Sequence, residues 1–247
     1  MESDTGSTRL AGAEALAQRP IGDIVSADWR SAAVFEKHGI DFCCGGSQTL
    51  GAACSAKGLE PEAILHELSQ ALAAPAEGVP DYVTWKSSDL ADHIIRTHHA
   101  WLAENTSLIT TWTAKIASVH GTRHPELVRI AAIFAGIAAD LTGHLAAEEE
   151  VFFPAIKRLE AARNSQRAPL SADLSAVRSS LASLGAEHEK IGDAVHEIRR
   201  LAANFALPPD ACATYTLSYK KLAEFEEELH KHVHLENNIL FPKAAGL

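Results

Sequence analysis

The sequence predicts an all-α protein, a small N-terminal helical domain followed by an antiparallel up-down four-helix bundle. Three observations carry this expectation. Apolar residues recur at helical spacing through four stretches of about 30 residues after Ser87. The connections between those stretches are short, and two of them hold prolines at Pro125 and Pro208-Pro209. No segment alternates apolar and polar residues as a half-buried strand does, and β-branched clusters are scarce.

Residues 1–19 are small and polar, and they read as a flexible N-terminus. Residues 20–80 form the small cysteine-containing domain. Ile24, Val25, Val34 and Phe35 supply its apolar face, Gly39 and Gly45-Gly46 interrupt it, and Pro61 opens a helix carrying Ile64, Leu65, Leu68 and Leu72. A piece of this size buries a marginal core alone and must lean on a neighbour. Residues 74–88, with two prolines and a glycine, read as a linker.

The bundle occupies 88–247. Its first helix runs over about 88–119 with Leu90, Ile94, Trp101, Leu102 and Ile109, and Ser87 or Ser88 is available as its N-cap. The second runs from Pro125 to about Phe153, and the third covers about 171–205. The fourth begins after Pro208-Pro209.

Composition narrows the function. The chain has 247 residues, 47% of them hydrophobic and 22% charged, which fits a globular protein. Acidic residues outnumber basic ones by 32 to 22, and a net charge of −10 argues against nucleic-acid binding, which needs a cationic face. No uninterrupted apolar stretch approaches the roughly 20 residues that span a bilayer, and Met1–Pro20 lacks the pattern of a secretory signal. Four cysteines, two of them adjacent at Cys43 and Cys44, do not make a disulfide scaffold, so a reducing cytoplasm is expected. Thirteen histidines beside a single methionine point to metal or proton chemistry.

A repeated motif carries that chemistry. Residues 144–154 read HLAAEEEVFFP and residues 232–242 read HVHLENNILFP, both fitting His-x3-Glu-x4-Phe-Pro. Residues four apart share a helix face, so His144 with Glu148, and His232 with Glu236, each offer an imidazole and a carboxylate to one point. Upstream, His99 precedes His144 by 45 residues and His188 precedes His232 by 44. His99 competes with its neighbour His98, and the spacing favours His99. A lone His-x3-Glu is usually a solvated surface pair. Two copies with matching spacing and matching upstream histidines predict four imidazoles and two carboxylates inside one bundle.

Buried carboxylates cost several kcal/mol unless partnered, and two cations would remove that cost. Mixed imidazole and carboxylate ligands suit iron or manganese, with structural zinc as the alternative. His230 and His234 form their own i, i+4 pair on another face and read as solvated or supporting. His38, His66, His120, His124 and His196 default to surface or capping duty.

These motifs, together with AAVFEKHGIDFCCGG at 32–46, DHII at 92–95 and EHEKIG at 187–192, resemble the iron–sulfur cluster repair di-iron proteins of the YtfE/ScdA type. The resemblance covers nearly the whole chain after residue 19. It implies a hemerythrin-like C-terminal bundle in which His99, His144, His188 and His232 are terminal iron ligands. It further implies that Glu148 and Glu236 bridge two non-haem irons, with an oxo or hydroxo group from solvent. It also implies a cytoplasmic, stress-responsive and often dimeric protein that acts on clusters damaged by oxidative or nitrosative stress. Iron donation and nitric-oxide redox chemistry both remain open, as does enzymatic turnover. Expected partners are damaged iron–sulfur proteins, an electron donor, and nitric oxide or dioxygen. A dioxygen or nitric-oxide carrier or sensor without turnover is the alternative.

Cys43 and Cys44 have two readings, small apolar residues beside a turn or a redox thiol pair. In the second reading a helix N-terminus lowers the thiol pKa and Gly45-Gly46 serves as a hinge. Cys54 and Cys212 read as structural.

Overall fold

The structure, a computed structural model, describes residues 15–73 and 80–247. Residues 1–14 of the expected flexible start and 74–79 of the expected linker lie outside the described residues. Among the described residues there is no strand, only an isolated bridge between Pro20 and Thr49, and the all-α expectation holds. The chain divides into two compact units. One holds the described residues up to Trp85 together with Val233–Pro242, and the other holds Lys86–His232 with Lys243–Leu247.

In the first unit α1 (Ile21–Ala27) leads through a tight turn into α2 (Ala32–Lys37), followed by α3 (Leu50–Lys57) and α4 (Pro61–Ala71). Local chemistry sets the boundaries. Asp28 accepts the Arg30 backbone N–H at 3.0 Å and closes the turn after α1. Thr49 caps α3 by accepting from Ala52 N–H at 3.2 Å, and Gly58 ends it at φ +65, a region that disfavours side chains. Pro61 occupies the first turn of α4. Ile21, Ile24, Val25, Phe35, Phe42, Leu50, Ile64 and Leu68 form the core. That is a short apolar inventory, and Val233–Pro242 adds Leu235, Ile239 and Leu240, all buried.

In the second unit α5 (Ser87–Ile94) continues through a π turn at Ile95–His99 into α6 (Ala100–His120). Next, α7 (Glu126–Ala147) continues through a π turn at Glu148–Phe152 into α8 (Phe153–Asn164), and α9 spans Ser171–Leu201. The last helix, α10 (Ala213–His234), passes through a third π turn at Leu235–Leu240 into α11 (Phe241–Ala245). Leu102, Ile109, Leu127, Ile130, Phe134, Ile137, Leu184, Ile191, Val195, Leu222 and Phe225 fill the interior, with Phe134 edge-on to Phe225 at 5.0 Å. The stretch Glu126–Asn164 is long and apolar enough by composition to cross a membrane. Its apolar stripe is buried as in a bundle helix, from Leu127 through Leu141.

Two local expectations change. The second bundle helix does not stop near Phe153. A proline inside a regular helix clashes with the carbonyl four residues back and offers no N–H. Here the π turn Glu148–Phe152 has already displaced the ladder, so Pro154 enters the first turn of α8 and the helix runs on to Asn164. Pro242 repeats the arrangement after Leu235–Leu240. The Phe-Pro of the repeat thus marks where each π turn ends.

Neither Ser87 nor Ser88 caps α5 with its side chain. The Glu160 carboxylate on α8 accepts both backbone N–H groups, at 2.9 Å from Ser87 and 3.2 Å from Ser88. Glu160→Ala is expected to cost about 1 kcal/mol, like the loss of an ordinary cap. For a chain of this size that lowers the melting temperature by about 2–4 °C, which a thermal melt by circular dichroism would read.

Candidate metal centre

Five of the six histidines and glutamates singled out by the repeat lie in the second unit, and they converge. His99 ends the first π turn and Glu148 opens the second, while His144, His188 and His232 come from α7, α9 and α10. All five are buried, Glu148 completely. The imidazoles meet in pairs through Nε2, His99 with His232 at 3.2 Å and His144 with His188 at 3.0 Å.

Glu148 lies between the pairs. Its Oε2 is 3.4 Å from His99 and 4.0 Å from His232, and its Oε1 is 3.3 Å from His144 and 3.9 Å from His188. Neither oxygen has a hydrogen-bond partner among the described residues. His99, Glu148 and His232 form one group of candidate ligand atoms within 4.8 Å of one another, and His144, Glu148 and His188 form a second. One carboxylate therefore serves two imidazole pairs. The sixth residue, Glu236, is fully buried in the π turn that follows α10, one turn beyond His232 on the same helix.

His98 and His99 separate cleanly. His98 turns to Glu228, its Nδ1 2.6 Å from Oε1, while His99 faces Glu148.

Two supporting carboxylates escaped the sequence reading. Nδ1 of His99 lies 2.8 Å from Oε1 of Glu149, and Nδ1 of His144 lies 2.8 Å from Oε2 of Glu187. A carboxylate on Nδ1 holds the proton there and leaves the Nε2 lone pair aimed into the site. The hydrogen bond to His144, helped by one from Ser183, holds the Glu187 carboxyl below its ordinary range. The available signal was adjacency, because Glu149 follows Glu148 and Glu187 precedes His188.

His99 and His144 thus present Nε2 lone pairs beside a buried carboxylate that has no hydrogen bond, an arrangement that a bound cation would satisfy. The donor set, imidazole and carboxylate without thiolate, fits a first-row transition metal such as iron. A cleft of about 730 Å³ between α6 and α7, lined by His99, Leu102, Thr106, Leu141, Leu145 and Glu149, opens beside the first pair.

The cysteines stand in the first unit. Asp41 Oδ1 accepts the backbone N–H groups of Cys43 at 3.0 Å and Cys44 at 2.9 Å, and lies 3.2 Å from the Cys43 thiol. The two sulfurs are 3.9 Å apart, with Cys43 buried and Cys44 half-buried. The hydrogen bond with Cys44, burial and the nearby Asp41 push the Cys43 thiol well above its ordinary pKa, the reverse of the expected lowering.

Gly45-Gly46 is not built as a hinge. Asn238 donates to the carbonyls of Phe42 at 3.1 Å and Cys43 at 3.3 Å, and Asn237 donates to Cys43 O at 3.1 Å. A Cβ on Gly46 or Gly22 would strike the Asn238 side chain, so these glycines permit close packing.

His234 is not solvated. It packs on Trp29 and Phe42, its Nδ1 accepts from the Asn238 amide at 3.1 Å, and burial lowers its pKa to about 3. His120 is also buried, its Nε2 3.2 Å from Cys212 Sγ, and Cys212 itself is exposed.

Comparison with known proteins agrees with this architecture. Residues 17–72 match the ScdA_N family model, described as a domain of unknown function, and residues 90–244 match the hemerythrin HHE cation-binding domain. The chain is 30% identical over 226 residues to the iron-sulfur cluster repair protein YtfE of Citrobacter koseri, covering 92% of this chain and 96% of that protein. It is also 30% identical over 223 residues to the iron-sulfur cluster repair protein ScdA of Staphylococcus haemolyticus, covering 90% and 96%. With YtfE of Escherichia coli O157:H7 the identity is 30% over 229 residues, covering 92% and 96%. The helical bundle, its buried His/Glu groups and these matches lead to one conclusion: the chain belongs to the YtfE/ScdA family of proteins, which join an ScdA_N domain to a hemerythrin HHE cation-binding domain.

Proposed function

We propose that this chain is a non-haem di-iron protein that helps repair iron–sulfur clusters damaged by oxidative or nitrosative stress, working in the cytoplasm. The observation that carries the reading is Glu148, with one oxygen toward each imidazole pair and no hydrogen bond to either. In this reading His99 and His232 hold one iron and His144 and His188 the other. Glu148 and Glu236 would be the carboxylates shared between them, together with an oxo or hydroxo group from solvent. Four imidazoles and two carboxylates exceed what a closed four-ligand structural zinc site uses. The curated relatives are named as repair proteins, which favours repair over the carrier or sensor reading.

When bound, the irons supply redox chemistry toward nitric oxide or dioxygen and a store of iron for a damaged cluster. The chain's own residues do the rest. Glu149 and Glu187 fix which imidazole nitrogen faces inward, and the packed core keeps bulk water from the buried carboxylate. The cleft beside His99 admits small ligands. Cys44 is the more accessible of the thiol pair, and Cys43-Cys44 serve as redox thiols that handle electrons or iron on its way to a client. Damaged iron–sulfur proteins, an electron donor and a second copy of the chain are the partners.

Metal analysis of protein from iron-replete cells tests the reading. Two irons per chain are expected, with oxo-to-iron charge-transfer absorption in the near ultraviolet. One iron per fully loaded chain, or zinc in its place, would overturn the bridged centre. The loaded protein should also restore activity to a cluster enzyme inactivated by nitric oxide, and Cys43→Ala with Cys44→Ala should restore less. Undiminished repair by that double variant removes the thiols from the function.

A further inference from the structure

α10 carries a second group of metal-binding side chains. His230 precedes His232 by two residues, which turns its side chain about 200° around the helix. There it meets Glu226, four residues back on the same face, and His196 from α9. Candidate ligand atoms of the three lie within 4.8 Å of one another, and the two imidazole rings are 5.7 Å apart.

The carboxylate is the telling group. Glu226 is 1% exposed. Arg199 donates through Nε to its Oε1 at 2.7 Å, while Oε2 is buried with no hydrogen-bond partner among the described residues. A simple ion pair would have used the guanidinium fork on both oxygens. Instead the Arg199 head lies over the Phe205 ring at 5.1 Å, and a Glu226 carboxylate oxygen lies within 4.8 Å of a nitrogen from each histidine.

We propose that His196, Glu226 and His230 form a separate site for a single divalent first-row cation, of the class of Zn²⁺, Co²⁺ or Fe²⁺. Two imidazole nitrogens and one carboxylate oxygen suit these borderline ions, and a single oxygen donor is too few for Ca²⁺. Arg199 then orients the liganding carboxylate from behind, the usual task of a hydrogen bond to a ligand's far oxygen. Three protein ligands leave positions for water, and the nearby guanidinium charge weakens the hold. The site thus binds an exchangeable ion, unlike the buried centre around Glu148.

The test uses the full chain with its iron loaded and counted, then washed with chelator and titrated with Co²⁺. One additional equivalent per chain is expected, with visible ligand-field absorption that Zn²⁺ abolishes, and with iron content unchanged. His196→Gln and Glu226→Gln should each weaken this Co²⁺ binding roughly tenfold or more while keeping the iron. His196 is only half-buried, so its substitution keeps the test valid even where Glu226→Gln disturbs folding. Absence of the additional equivalent in the wild-type chain, or unchanged Co²⁺ affinity in His196→Gln, would overturn the site.

Discussion

Glu148→Ala, loaded beside the wild-type chain under identical conditions, is expected to hold almost no iron at either position. His188→Ala is expected to keep about one iron per chain. The difference follows from geometry. Glu148 stands 3.3–3.4 Å from one imidazole of each pair, so its removal takes a ligand and a negative charge from both positions. His188 lies 3.0 Å from His144 Nε2 and 3.9 Å from Glu148 Oε1, on the side of one imidazole pair, and water can occupy the vacancy it leaves. Iron per chain, with Mössbauer spectra to separate the two environments, reads the contrast. If Glu148→Ala retained both irons while His188→Ala emptied both, the bridging assignment would be wrong.

Iron removal should produce the largest change in stability. An ion bound only by the folded chain stabilises it by about 4 kcal/mol when its free concentration is a thousand times the dissociation constant. At about 2–4 °C per kcal/mol, the iron-loaded chain should melt roughly 8–16 °C above the metal-free chain. The sign then reverses in Glu148→Gln. A neutral amide relieves the desolvation of a carboxylate that has no hydrogen bond, so the metal-free variant should melt at or above the metal-free wild type, yet gain little from iron. Equal melting of loaded and metal-free wild type would show that the buried glutamate is satisfied without an ion.

Much of this was legible in the sequence, for identifiable reasons. A 3.6-residue period repeated through four long stretches leaves little alternative to a bundle, and the repeat with its upstream histidines singled out the residues whose Nε2 atoms meet. Spacing favoured His99 over His98, and His99 is the one that faces Glu148. What stayed hidden depends on neighbours distant in sequence. Glu160 caps a helix 73 positions away. Asn238 explains Gly46, half of the Gly45-Gly46 pair that had read as a break and a hinge, because a close contact leaves no periodic trace. His196 gained a role only when α9 placed it against Glu226 and His230. The thiol pKa went the wrong way because the hydrogen bond with Cys44, burial and the neighbouring Asp41 all push it up, and none of these can be read from composition.

The π turns at Ile95–His99, Glu148–Phe152 and Leu235–Leu240 have a consequence for how such helices tolerate length change. Each amounts to a single-residue insertion absorbed without breaking the rod, and it advances the angular phase of everything beyond it by about 100°. The apolar stripe before a turn and the one after it can thus be set separately along one continuous helix, while the turn itself carries Glu148 or Glu236. Deleting one residue from such a turn would restore regular winding and leave both flanking segments helical. It would leave Phe153–Asn164 or Phe241–Ala245 in place and displace the residues of the turn itself, where Glu148 and Glu236 lie.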